Sequence, residues 1–191
     1  MVNEERTTTI SRKELQRRAT QIKLLITDCD GVLTDGGIYY SAKGEELRRF
    51  SVRDGMAIAM LKSIGMKVAL ISGERSETIK RRAQKLNIGL LFLGITSKLH
   101  CVEKLLKDNK ILISSTMYVG DDINDFQAME KISHAGLTAC PLLSTASVIQ
   151  VSHYHSLING GSGALRDVVD WLLQLRGMVI THYPFSSQGK E

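Results

Sequence analysis

Short apolar runs alternate along the chain with longer amphipathic ones. Residues 22–26, 67–71, 90–93 and 117–119 are apolar and short enough to be buried strands. The segments between them carry apolar positions at helical spacing. Residues 54–64 do so through Met56, Ile58, Met60, Leu61 and Ile64, and stop at Gly65. Residues 77–87, 97–108 and 125–131 read as further helices, and 164–175 as a last one. Residues 11–21 form a basic helix opened by Ser11, with Glu14 at the capping-box spacing. Weaker strands are expected at 135–139 and 151–154, and a hairpin over 38–50 turning near Gly44. This alternation predicts an α/β fold, a doubly wound and mostly parallel sheet with helices on both faces. Neither a repeat nor a linker interrupts it, so residues 1–191 read as one domain, with 177–191 as a C-terminal tail.

Polar residues gather where the apolar runs end. Asp28 and Asp30 follow the first, Ser72 the second, and Asp121, Asp122 and Asp125 the run at 117–119; Lys98 stands at a helix start. In an open α/β sheet the carboxyl ends of the strands share one edge, where ligands bind. Clustered carboxylates are costly there unless a cation compensates them or the chemistry needs one ionised and one protonated. The inventory suits phosphoryl transfer through an aspartyl phosphate. One Asp is the nucleophile and a second shuttles the proton. Ser72 donates to a phosphoryl oxygen, and Lys98 neutralises charge on nucleophile and phosphate. Asp121 with Asp28 suits a hard cation, most naturally Mg²⁺.

In this order the four motifs resemble the haloacid dehalogenase superfamily of phosphatases: Asp28-Cys29-Asp30-Gly31, Ser72, Lys98, and Gly120-Asp121-Asp122-Ile123-Asn124-Asp125. The resemblance implies that Asp28 is the nucleophile and a metal ligand. Asp30 is then the acid/base, offering its backbone carbonyl to the metal, and Asp121 is the remaining carboxylate ligand. Asp122 and Asp125 act behind them. Four further stretches narrow the resemblance to the 3-deoxy-D-manno-octulosonate 8-phosphate phosphatases. They are residues 30–36, the hairpin with Gly44-Glu45-Glu46-Leu47, Phe50-Ser51-Val52-Arg53-Asp54-Gly55, and residues 160–166. That family implies a lipopolysaccharide-sugar phosphatase, a compact homotetramer whose hairpins meet at its centre and whose neighbouring subunits cover the active site. The short stretch between the first two motifs agrees, because it cannot hold a cap domain. Ser51, Val52, Arg53, Asp54, Gly55 and Arg82 would then line the substrate site together with Lys98. The family's usual Arg after Ser/Thr-Gly is Glu74 here, and a basic residue expected in the helix after Arg53-Asp54-Gly55 is Ala59. Glu74 with Lys85 is similar instead to phosphatases of nine-carbon nonulosonate 9-phosphates. Both substrates therefore stay open.

Composition adds constraints. At 43% hydrophobic and 24% charged residues the chain is ordinary for a soluble globular protein. The net charge of +5 includes two basic runs, Arg12 to Arg18 and Lys80 to Lys85. These read as solvated helix faces or as attraction for anionic small molecules. Aromatic residues are only 5%, which argues against base stacking and a nucleic-acid partner. No apolar run approaches the ~18 residues of a membrane span. Cys29, Cys101 and Cys140 are odd in number and scattered, which points to a reducing, cytoplasmic setting.

Other motifs have plainer readings. Cys29 should pack as a thiol turned away from Asp28. His153 and His155 read as surface strand residues, and Gly160 to Gly163 as a flexible hinge. His100-Cys101 lacks the glycines and arginine of a cysteine phosphatase loop. A receiver domain of two-component signalling uses similar residue types. It places the acidic pair early and the phosphorylated Asp after the third strand, the reverse of the order here.

Overall fold

The computed structural model describes residues 10–179 and Thr181. Residues 1–9 and most of the predicted tail lie outside the described residues. A six-stranded sheet forms the centre, built from β1 (Leu24–Thr27), β4 (Lys67–Ile71), β5 (Leu90–Phe92), β6 (Thr116–Val119), β7 (Leu137–Cys140) and β8 (Tyr154–His155). Its order is β5-β4-β1-β6-β7-β8, every neighbouring pair parallel. All four residues of β1 are buried, as a central parallel strand covered on both faces requires. A separate antiparallel hairpin pairs β2 (Tyr39–Ser41) with β3 (Gly44–Leu47). The fold is the doubly wound α/β core with a hairpin insertion that the pattern predicts.

Helices cover both faces. On one lie α1 (Arg12–Gln21), α2 (Val52–Ser63), α3 (Glu77–Lys85) and α7 (Ala164–Leu175); on the other α4 (Lys98–Asp108), α5 (Ile123–Ser133) and α6 (Ala146–Gln150). Strand alternation divides the apolar residues between these layers. Leu25 packs with Ile58, Leu61, Leu165 and Leu172 on the first face. Leu24 and Ile26 pack with Val102, Leu105 and Met129 on the second.

Predicted boundaries shift in explicable ways. Ile22, expected to begin β1, is the C-cap of α1 and returns its N–H to Ala19. The helix expected from residue 54 begins at Val52, because the Ser51 hydroxyl accepts from the Arg53 N–H and starts it earlier. The short α6 was not predicted; five residues offer too little periodicity to see. The strand expected at 151–154 is instead β8, which begins three residues later and is only two residues long.

Two expectations are corrected. His153 is not on the surface: it is 4% exposed, and its Nδ1 accepts from the Thr138 N–H at 3.1 Å. Burial pushes its pKa down to about 4. Gly160 and Gly161 are not a flexible hinge. A Cβ at Gly160 would stand 1.8 Å from the Gly31 carbonyl oxygen, and the Gly161 N–H donates to the Val32 carbonyl at 3.0 Å. Glycine is needed there because two backbones touch. The stretch braces the loop after β1.

Candidate active site

Alternation in β1 aims its first carboxylate. Asp28 continues the parity of Leu24 and Ile26, toward the face of α4 and α5. Cys29 continues that of Leu25 and packs in the opposite core, as its predicted role as a packed thiol requires. Lys98 is the first residue of α4, behind its N-cap Ser97. On α5, Asp125 closes a capping box with Asp122. Tyr118 of β6 faces the same layer.

These elements converge below the carboxyl edge of the sheet. Lys98 Nζ lies 2.9 Å from Asp28 Oδ1 and donates to Asp125 Oδ1 at 2.7 Å. The Tyr118 hydroxyl donates to the same Asp125 oxygen at 2.7 Å. Asp125 Oδ2 accepts from the N–H groups of Asp121 and Asp122 at 3.2 and 3.4 Å. Both oxygens of Asp125 are therefore taken. One oxygen each of Asp28, Asp121 and Asp125 lie within 4.8 Å of one another. With Asp125 committed, Asp28 and Asp121 are the carboxylates with room for a cation. Asp121 Oδ1 is buried and has no hydrogen-bond partner among the described residues. Gly31 makes this crowding possible, since a Cβ there would stand 1.9 Å from Asp121 Oδ2.

The electrostatics follow from burial and crowding. Burial first, then repulsion from Asp125, raises the Asp28 pKa well above the carboxylate range, with Lys98 opposing. The same two causes push Asp121 up to about 7. Burial alone would lower Lys98, but Asp28 and Asp125 outweigh it and hold its pKa up. Burial and Asp125 also keep the Tyr118 hydroxyl protonated far above its usual value. Three carboxylates around one ammonium leave an excess of negative charge that a hard, oxygen-liganded cation would offset.

Above this floor opens a cleft of about 480 Å³. Asp28, Asp30, Ser72, Glu74, Asp121 and Asp122 all reach its wall. Ser72 is 1% exposed and its Oγ accepts the Glu74 N–H at 3.1 Å. The Asp122 side chain accepts from the Ile123 N–H at 2.6 Å and so caps α5.

Other expected site residues are held outside this wall. Ser51 caps α2 and its carbonyl takes the Arg82 guanidinium at 2.9 Å. Arg82 lies over the Phe50 ring at 5.6 Å and against Gly55. Asp54 is buried and accepts the Arg166 N–H at 3.0 Å, which ties α2 to the start of α7. Burial raises its pKa to about 6. Val52, Arg53 and Lys85 are exposed, Arg53 alongside Gly163. Ala59, where a basic residue was expected, is in the core at 6% exposure.

Sequence reasoning missed three contributors. Tyr118 sits inside an apolar strand and gives no sign of its hydroxyl's partner. Glu45 and Arg48 belong to the hairpin, where the pattern misleads. Arg48 is 6% exposed while neighbouring Leu47 is 63% exposed. Arg48 donates to Asp30 Oδ1 and pairs twice with Glu45 at 3.1 Å. Thr34 donates to the same Asp30 oxygen at 3.2 Å.

No family model matches the chain. It is 38% identical over 164 residues to the 3-deoxy-D-manno-octulosonate 8-phosphate phosphatase KdsC of Haemophilus influenzae, covering 85% of this chain and 89% of that protein. It is 41% identical over 162 residues to the protein of the same name from Escherichia coli K12, covering 84% of each. Among solved structures it matches the 3-deoxy-D-manno-octulosonate 8-phosphate phosphatase of Moraxella catarrhalis in complex with magnesium ion, phosphate ion and KDO. That match has a TM-score of 0.81 and 34% identity, and covers 86% of this chain and 93% of the other.

Proposed function

The chain belongs to the 3-deoxy-D-manno-octulosonate 8-phosphate phosphatase family of the haloacid dehalogenase superfamily and is a phosphomonoester hydrolase, and we propose 3-deoxy-D-manno-octulosonate 8-phosphate, a precursor of lipopolysaccharide sugar, as its substrate. One observation carries the reading beyond kinship: Lys98 pins Asp28 at 2.9 Å at the carboxyl edge of the central strand, beside a buried Asp121 oxygen that has no partner among the described residues. The donor set fits Mg²⁺: Asp28 and Asp121 would hold it, joined, as the family resemblance implies, by the Asp30 carbonyl. Bound there, Mg²⁺ supplies positive charge to the phosphoryl oxygens that Asp28 must approach.

The chain's own residues then divide the work. An Asp28 oxygen attacks phosphorus, and the ester P–O bond breaks with its electron pair going to the sugar oxygen. Asp30 gives that oxygen its proton. Asp30 next takes a proton from water, whose oxygen attacks the phosphorus of the aspartyl phosphate, and Asp28 is restored as inorganic phosphate leaves. Lys98 balances charge on Asp28 and the phosphoryl group, while Ser72 donates to a phosphoryl oxygen. Asp125 holds Lys98 in place, and Asp122 fixes the start of α5 that carries Asp125.

A second reading keeps the mechanism and changes the sugar. Glu74 stands in the cleft wall, where a carboxylate would accept from hydroxyl or amine groups and repel a substrate carboxylate. This favours a nonulosonate 9-phosphate. A side-by-side comparison of kcat/KM on the two sugar-acid phosphates with Mg²⁺ decides. A preference for the eight-carbon ester of about tenfold or more supports the first reading, and the reverse preference the second.

The assembly proposed is a cytoplasmic homotetramer packed through its hairpins. In support, Tyr39, Tyr40 and Leu47 on the hairpin are 63%, 66% and 63% exposed, an apolar surface suited to a partner copy. Light scattering that returns a monomer at micromolar concentration would remove this proposal. Among the described residues no helix is long and apolar enough to cross a membrane.

A further inference from the structure

The hairpin sets a buried cation against Asp30, a residue of the cleft wall. Arg48 follows β3 directly, and its side chain is 0% exposed. A buried guanidinium carries a heavy desolvation cost unless its donors are met. Here they are met by carboxylates alone. Arg48 Nη1 donates to Asp30 Oδ1, while Nε and Nη2 pair with the two oxygens of Glu45, each at 3.1 Å. Glu74 Oε2 lies 3.8 Å from Nη2. Glu45 is anchored in turn, because it accepts the hydroxyl of Ser76, the N-cap of α3. A continuous polar chain thus runs from the start of α3 through the hairpin to Asp30.

The contacts on Asp30 are one-sided. Thr34 and Arg48 both donate to Oδ1, and among the described residues no donor is aimed at Oδ2. We propose that Arg48 is a positioning residue for the phosphatase reaction: with Thr34 it anchors Oδ1 of Asp30, so that Oδ2 is presented to the ester oxygen, and Glu45 in turn fixes Arg48. This rests on the assignment of Asp30 as the acid/base. In the step concerned, the bond from Asp28 to phosphorus forms and the ester P–O bond breaks. The departing oxygen keeps the electron pair and takes the proton from Asp30 Oδ2. A sugar alkoxide needs that proton, whereas p-nitrophenolate leaves readily without it. Loss of aim at Asp30 therefore penalises the two esters unequally.

The test measures kcat/KM, which reports the steps through loss of the leaving group. The native enzyme, Arg48→Met, Arg48→Lys, Glu45→Gln and Asp30→Asn are compared with saturating Mg²⁺. The substrates are the preferred sugar-acid phosphate and p-nitrophenyl phosphate. General acid catalysis contributes roughly 10²–10⁴-fold, so misplacing the acid in Arg48→Met should cost the sugar ester about tenfold or more and the nitrophenyl ester under about threefold. Arg48→Lys should restore most of the ratio, and Glu45→Gln should show the same bias more weakly. Both substrates are read on one preparation, so the ratio does not depend on the folded fraction. If Arg48→Met yields no folded protein, Glu45→Gln decides by the same ratio. Equal losses on the two esters while Asp30→Asn discriminates between them would overturn the role of Arg48 alone. If Asp30→Asn itself fails to discriminate, the acid assignment falls and this inference with it.

Discussion

At the floor of the cleft, Lys98, Asp28, Asp125 and Tyr118 are delivered by sheet strands and by two helices of one packed layer. At the rim, Arg48 and Glu45 come from a two-stranded hairpin, and Glu74 from the loop after β4. Both regions pair cations with carboxylates, yet they differ in what fixes them. The floor inherits its geometry from strand alternation and helix caps, which the core enforces. The rim is held by its own ion pairs, which compensate the burial of Arg48 on a hairpin that otherwise shows apolar residues to solvent. The floor of the cleft is thus fixed by the core, whereas the hold on Asp30 depends on ion pairs carried by an appendage.

The sharpest way to break this division is at Asp28, the proposed nucleophile. Asp28→Asn should lower Mg²⁺-dependent phosphate release by at least ~10³-fold while the far-ultraviolet circular dichroism spectrum is kept. Retention of more than a few per cent of activity would take Asp28 out of that role. Asp125 tests whether the floor acts as a unit. Asp125→Asn should cost roughly 10²-fold in kcat, because Lys98 and Tyr118 lose the charge they share, although Asp125 need not touch substrate. Unchanged kcat would make the pairing ornamental.

At the rim, Glu74→Arg should shift the ratio of kcat/KM toward the eight-carbon ester by about tenfold, with smaller change in kcat than in KM. An unmoved ratio would mean that Glu74 does not read the sugar. The smallest effect is expected at Asp54, a buried carboxylate that belongs to neither region. Its pKa rises from 3.8 unfolded to about 6 folded, so the folded chain binds the proton more tightly. Its contribution to stability is then fully present below about 4 and is lost as the pH climbs through about 6. Denaturant titrations at several pH values should show Asp54→Asn gaining stability relative to the native chain across that window. A constant difference would refute the linkage.

The same division explains what could be read from the chain. Asp28, Ser72, Lys98 and Asp121 stand at ends of elements whose apolar periodicity is strong, so their convergence follows from the sheet. Arg82 and Lys85 lie on α3, also correctly placed as a helix, but a helix fixes neighbours along its own face and not the distance to a cleft. Arg82 turns to the Ser51 carbonyl and Phe50 instead. His153 and Gly160 defeated local reasoning for a related reason. Each owes its setting to a backbone far away in sequence, Thr138 for one and Gly31 for the other. Arg48 was hidden by the usual equation of charge with exposure, which fails where carboxylates line the interior.

The central place of β1 also has a consequence for how the enzyme comes into being. On the ribosome Asp28 is the first of the proposed catalytic residues to be made. Leu24 nevertheless pairs with Lys67 on one side and Thr116 on the other, so the strand has neither neighbour when it emerges. The brace at Gly160 and Gly161 arrives later still. Such distant pairing favours slow folding and leaves an apolar strand unprotected meanwhile. A nascent chain halted before β6 would expose β1 to aggregation, and the site should form only after Gly160 and Gly161 have emerged.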